Sequence, residues 1–70
     1  MKFGEALEQA KVGDFIRRAG WNGAGQFVYL ETRFPGYEPV FVIRNAQGKF
    51  QPGWIPSMGD LMAGDWELVN

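Results

Sequence analysis

The sequence predicts an α+β fold: a small antiparallel sheet of four to five strands, with an N-terminal helix and a short late helix. Three observations predict it. Apolar residues recur at helical spacing over the first twelve positions. Short runs rich in β-branched and aromatic residues then alternate with Gly, Asn and Pro. A Ser-x-x-Asp sequence stands before a brief apolar run near the C-terminus.

The elements follow in chain order. Phe3, Ala6, Leu7 and Ala10 fall on one face of a helix over 3–12, with Glu5, Glu8 and Gln9 on the other. Gly13 is its stop. No good capping residue precedes it, so tertiary packing must hold its start. Asp14 to Trp21 reads as a strand centred on Phe15-Ile16-Arg17-Arg18-Ala19, with Arg17 and Arg18 on opposite faces. Gly20-Trp21-Asn22-Gly23-Ala24-Gly25 carries the Asn-Gly signal of a hairpin. Gln26 to Glu31 has little polarity on either face and is expected to be the central strand. Thr32 to Pro39 is a loop, and Val40 to Arg44 a further strand. Asn45 to Gly48 turns the chain, and Lys49-Phe50-Gln51 pairs back. Pro52 to Pro56 is an irregular crossing. Ser57 caps a one- or two-turn helix through Leu61, Met62 and Ala63 that ends at Gly64. Asp65 to Val69 closes the sheet, with Trp66 directed into the core. No repeat or linker divides the chain, so residues 1–70 read as a single domain.

Composition narrows the function. The chain has 70 residues, is 16% aromatic, and contains neither cysteine nor histidine. A core of this size is marginal. Disulfides are excluded, and metal ligands are restricted to carboxylates, carbonyls and hydroxyls, so self-association is the reinforcement left. The formal net charge of −1 and the scattered basic residues argue against a duplex nucleic-acid partner. No apolar run is long enough for a membrane span. Met1 to Glu5 lacks the apolar segment of a signal peptide, which gives the expectation of a cytoplasmic protein. Without His or Cys there is no Ser-His or Cys-His pair, and no nucleophile, base and orienter can be named together. The expectation is a protein with no catalytic residue, metal site or cofactor.

Several residues have both a binding and a structural reading. Trp21 and Trp54 sit beside glycines in irregular segments, where an indole can stack on a base or can seal a small core. Arg17 and Arg18 can meet phosphate, or one can be solvated while the other pairs with an acid. Asn22 can read a base or ribose edge, or simply make the turn. The Gly23-Ala24-Gly25 backbone can form an anion nest. A dinucleotide fingerprint is excluded because a strand, not a helix, follows. Ser57 and Asp60 are a capping pair and also lie close to Trp54 in sequence.

Taken together, Phe3-Gly4-Glu5-Ala6-Leu7, Gly20-Trp21-Asn22-Gly23 with Gly25, Trp54-Ile55-Pro56-Ser57 with Asp60-Leu61, and Asp65-Trp66-Glu67-Leu68-Val69 resemble the second type of Thoeris anti-defence protein. This is a family of small phage and prophage proteins, and the resemblance spans nearly the whole chain. It implies a sponge that binds a cyclic ADP-ribose isomer made by the Thoeris immune sensor and holds it without cleaving it. It further implies a homotetramer with pockets between subunits. Some members also bind cyclic di- or trinucleotides of a second defence system (CBASS), at separate sites. Carried over, Trp21 and Asn22 match the family's tryptophan-asparagine turn and Trp54 the tryptophan before its proline-serine crossing. The expected ligand-binding set is Trp21, Asn22, Gly23 and Trp54, with Phe3, Arg17, Arg18, Ser57 and Asp60 around them. The expected place of action is the cytoplasm of the infected bacterium. Two other readings stay open: a homo-oligomeric protein-interaction module using exposed aromatics, and a single-strand nucleic-acid binder, which the acidic balance disfavours. Residues 32–39 match no motif of the family.

Overall fold

A computed structural model describes residues 1–69 and places five strands in one sheet, with two helices on one of its faces. Helix α1 (Phe3–Lys11) packs through Ala6 and Ala10, both buried. Alanine leaves the helix backbone close to the sheet, while Phe3 reaches past it to meet Trp66 edge-on at 5.3 Å. The helix stops where the Gly13 N–H donates to the Ala10 carbonyl at 3.0 Å, with Gly13 at φ +101°. A side chain there would be strained, so glycine fixes the end. Tertiary contacts do hold its start. The Met1 amino group donates to the Trp66 carbonyl at 2.7 Å, and the Trp66 N–H returns to the Met1 carbonyl at 3.1 Å. One local contact assists, from the Lys2 N–H to Glu5 Oε1 at 2.9 Å.

The strands are β1 (Ile16–Arg18), β2 (Phe27–Glu31), β3 (Val40–Arg44), β4 (Phe50–Pro52) and β5 (Trp66–Leu68). They lie in the order β4-β3-β2-β1-β5, each antiparallel to its neighbours. The apolar run at 27–31 is therefore the central strand, as expected. Its pairing with β3 is unbroken from Phe27↔Arg44 to Glu31↔Val40. The C-terminal strand returns beside β1, setting Trp66 opposite Arg18 and Glu67 opposite Arg17.

The two faces differ. Ile16, Val28 and Trp66 are buried beneath the helices, with Leu30, Phe41 and Ile43 packed against them. Trp66 is only 1% exposed, and its Nε1–H donates to the Asp60 carbonyl at 2.9 Å. An indole so placed contributes on the order of 3–5 kcal/mol relative to alanine. The opposite face carries Phe15, Phe27, Tyr29 and Phe50, and among the described residues no helix covers it. Helix α2 (Met58–Met62) starts at Ser57 as the Ser-x-x-Asp pattern predicts. The Asp60 N–H donates to Ser57 Oγ, and the Ser57 N–H to Asp60 Oδ2, each at 3.0 Å.

Two local expectations change. β1 is shorter than the predicted strand, ending at Arg18, and the Asn-Gly segment is not a tight hairpin. Residues 19–26 form a wide loop because Trp21 turns back onto the core, its N–H bonded to the Arg18 carbonyl at 3.2 Å. Asn22 keeps a negative φ, and Gly23 and Gly25 supply the positive ones, at +100° and +80°. Among the described residues no helix is long and apolar enough to cross a membrane.

Candidate ligand-binding site

Three segments distant in sequence bring their indoles to one place. Trp21 from the wide loop, Trp54 from the crossing and Trp66 from β5 meet with centroids 5.4–6.4 Å apart, all edge to face. Phe41 adds a further edge contact to Trp54 at 5.6 Å. This is the preferred geometry for aromatic quadrupoles. It also means that Trp21 and Trp54 touch each other, so no slot for a base lies between them. Each half-buried ring seals the core with one side and leaves only its outer surface free.

A polar network backs the indoles. Arg18 donates from Nε to Asp65 Oδ1 at 2.9 Å and from Nη1 to Asp60 Oδ1 at 3.0 Å. Asp65 also accepts from the Gly20 N–H at 2.9 Å, pinning the loop, and Asp60 accepts from Trp21 Nε1 at 3.4 Å. The hydrogen bond from Arg18 and that from Gly20 hold the Asp65 carboxyl below its ordinary value. Burial pushes the Asp60 carboxyl up, but the bonds from the Ser57 N–H and Arg18 outweigh it and the net direction is down. The Arg18 guanidinium is raised by Asp65 and then by Asp60. All three groups are therefore held charged.

Beside this network lies a cleft of about 190 Å³, lined by Arg17, Arg18, Trp21, Gly23, Gly25 and Gln26 among others. Four of the residues expected at the site from the sequence thus share one cavity: Trp21, Gly23, Arg17 and Arg18. Asn22 stands exposed on the same loop, its carbonyl accepting from Gln26 Nε2. Asp60 and Ser57 lie behind Arg18, committed to the helix cap and the ion pairs. Trp54 and Phe3 belong to the core side of the indole cluster. Arg17 leans on Glu67 at 3.1 Å across the β1–β5 pair, on the opposite face from Arg18.

Some contributors were not visible in the sequence. Gln26 and Arg44 brace the loop, Arg44 donating to the Gly25 carbonyl at 2.7 Å. Asp65 bridges Arg18 to Gly20. Arg44 and Asp65 have no short-range signature, because each acts between segments distant in sequence, whereas Gln26 acts within the loop, on the Asn22 and Gly23 carbonyls. A second hollow, of about 450 Å³, lies on the helix-free face against Phe15, Tyr29, Phe50 and Arg33. Its signal was the alternation of Phe27 and Tyr29 with Val28 and Leu30.

The model of the Tad2-like family, the Thoeris anti-defense 2-like domain, matches residues 1–69. The chain belongs to that family. A curated relative, Thoeris anti-defense 2 of Bacillus phage SP01, is 38% identical, and the alignment covers all of this chain and 96% of the relative. Membership places the chain among anti-defence proteins. The Tad2-like segments noted in the sequence are those that converge here: Phe3, Trp21, Trp54 and Trp66 meet in the aromatic cluster, and Ser57, Asp60 and Asp65 carry the network around Arg18. In this Tad2-like chain the family's sequence blocks are therefore first of all the scaffold of the loop 19–26.

Proposed function

We propose that this Tad2-like protein is a sponge for a cyclic ADP-ribose-type immune messenger, acting in the cytoplasm of an infected bacterium and holding the messenger without cleaving it. The observation that carries this reading is the family match over residues 1–69. The cleft beside Trp21 supports it chemically. It offers an indole surface for a base, guanidinium groups for phosphate, and the backbone of a glycine loop for anion contacts. These groups bind and orient; they do not attack or transfer protons.

The two arginines have different parts in this reading. Arg18 is neutralised by Asp60 and Asp65 and positions Trp21. Among the described residues Arg17 is held only by the half-exposed Glu67, an ion pair worth about 0–1 kcal/mol, and a phosphate can capture it. Trp21, Asn22, Gly23 and Arg17 are then the contact residues, with Trp54, Phe3, Ser57, Asp60 and Arg18 holding them.

The cleft is also smaller than the roughly 300–1,000 Å³ usual for small-molecule sites. One copy does not enclose a cyclic nucleotide, which supports a homo-oligomer, a tetramer in this reading, with the pocket completed by a second copy. Cyclic di- or trinucleotides are the second ligand class to examine.

The test is a thermal-shift and calorimetry panel of cyclic ADP-ribose isomers, cyclic di- and trinucleotides and linear ADP-ribose. A bound messenger at a hundredfold excess over Kd stabilises the fold by about 2.7 kcal/mol. Stabilisation by a cyclic ADP-ribose isomer is expected. An assembled, folded protein that no cyclic nucleotide stabilises would refute the proposal and leave the protein-interaction reading.

A further inference from the structure

Arg44 does more than brace the loop 19–26. We propose that it is a second phosphate-binding arm beside Arg17, and that the two guanidinium groups seat the diphosphate of the messenger at the glycine loop. The inference rests on the reading of this loop as the messenger site and names the part of the ligand that this end of the sheet takes.

The strand register places the two arginines. Arg44 pairs with Phe27 of the central strand. The pairing Ile16↔Val28, read one step along antiparallel strands, sets Arg17 on the other side of the same Phe27. Directly paired residues share one face of a sheet. Arg17 and Arg44 therefore flank Phe27 on the helix-free face, about 10 Å apart between Cα positions. Gly25 adjoins both: it lines the cleft with Arg17, and its carbonyl accepts from Arg44 Nη1 at 2.7 Å.

Arg44 has charge and donors to spare. A Cβ on Gly25 would come within 2.6 Å of its Nη1, and one on Gly48 within 3.1 Å of its Nη2. The guanidinium thus fills a notch that two glycines leave open, with its Cζ 5.9 Å from the centre of the Phe27 ring. Among the described residues no carboxylate pairs with it, and its Nε and Nη2 donate to no protein acceptor. Arg18, by contrast, is spent on Asp60 and Asp65. The row Glu67-Arg17-Phe27-Arg44 carries two positive charges against one negative. The N–H groups of Asn22, Gly23, Ala24 and Gly25 likewise donate to no backbone acceptor among the described residues. Two planar forks beside free loop N–H groups suit charged oxygens spread over two centres, which is a diphosphate and not a single carboxylate.

The experiment joins two measurements on the full chain, for the wild type, Arg44→Gln and Arg44→Lys. Calorimetry reads the affinity for a cyclic ADP-ribose isomer, and an NMR titration follows the arginine Nε–H signals as inorganic pyrophosphate is added. Glutamine keeps a donor for Gly25 but loses the charge; lysine keeps the charge but loses the fork. Circular dichroism checks the fold, and if Arg44→Gln unfolds the wild-type titration decides, since it needs no variant. Pyrophosphate is expected to shift the Arg17 and Arg44 signals and to compete with the messenger. Arg44→Gln is expected to weaken messenger binding by at least about tenfold, and Arg44→Lys by less. An Arg44 signal that pyrophosphate leaves unmoved overturns the seat. So does unchanged messenger affinity in folded Arg44→Gln. Equal losses in the two variants make Arg44 a brace of the loop and overturn its contact with phosphate. A wild type whose Arg44 signal responds to pyrophosphate, but which binds no cyclic ADP-ribose isomer, upholds the anion seat and refutes the sponge reading alone.

Discussion

The indole of Trp21 stands edge-on to that of Trp66, with centroids 5.4 Å apart and planes at 76°, while its Nε1 donates to Asp60 at 3.4 Å. One side chain thus joins the loop 19–26 to the core and, on its outer surface, walls the cleft. Trp21→Ala is expected to act on both. Loss of a half-buried indole should cost about 2 kcal/mol of stability, below the cost of a fully buried one. Messenger affinity should fall by at least about 1 kcal/mol if a base stacks there. Urea denaturation and calorimetry separate the two effects. Unchanged affinity in the folded variant would remove Trp21 from the site and leave it a core residue.

Arg17 and Arg18 are adjacent but face opposite sides of the sheet, and their substitutions should divide accordingly. Arg17→Gln breaks only a surface pair, so stability should stay within about 0.5 kcal/mol while messenger binding weakens. Arg18→Gln removes the partner of both Asp60 and Asp65, so its denaturation midpoint should fall clearly. Equal stability losses for the two variants would contradict this division.

The acid groups of the network set a pH dependence. Asp60 and Asp65 have folded pKa values below their ordinary one. The unfolded chain therefore takes up protons first as pH falls through about 4. Their stabilisation is full above that range and is lost on going lower. Asp60→Asn should lower the urea midpoint at neutral pH and give a shallower loss of stability in acid. A variant with the same acid profile as the wild type would show that Asp60 is not a contributor.

Gly25 is at φ +80°, and a Cβ there would approach Arg44 Nη1 to 2.6 Å. Gly25→Ala should therefore destabilise by at least about 1 kcal/mol, and it should also release Arg44 from the loop. A thermal melt measures the first effect. A melting temperature equal to the wild type would mean that the loop reorganises without cost.

The sequence made much of this fold legible, for local reasons. The helix over 3–12, the central strand at 27–31, the turn at 45–48 and the cap at Ser57 all depend on spacing or on near neighbours. What it concealed is non-local. That Trp21 and Trp54 would spend their edges on Trp66 depends on β5 returning beside β1, and no window of sequence contains that return. The same return places Asp65 between Arg18 and Gly20. The Asn-Gly signal pointed to a tight hairpin because Trp21, one residue earlier, gives no local sign that it will fold inward. At the candidate site, Trp21, Gly23, Arg17 and Arg18 share a cleft, whereas Ser57 and Asp60 are spent on structure. The aromatic outer face is hidden in the sequence because an apolar central strand reads as buried on both sides.

The central claim is capture without cleavage, and a depletion-and-release assay tests it most directly. The protein is incubated with the Thoeris messenger and removed by filtration, and the filtrate is assayed. The retained protein is then heat-denatured and the released nucleotide identified by mass. The account predicts loss of free messenger followed by recovery of the intact cyclic molecule. Recovery of a cleaved product, or a filtrate in which the messenger is undiminished, would contradict it.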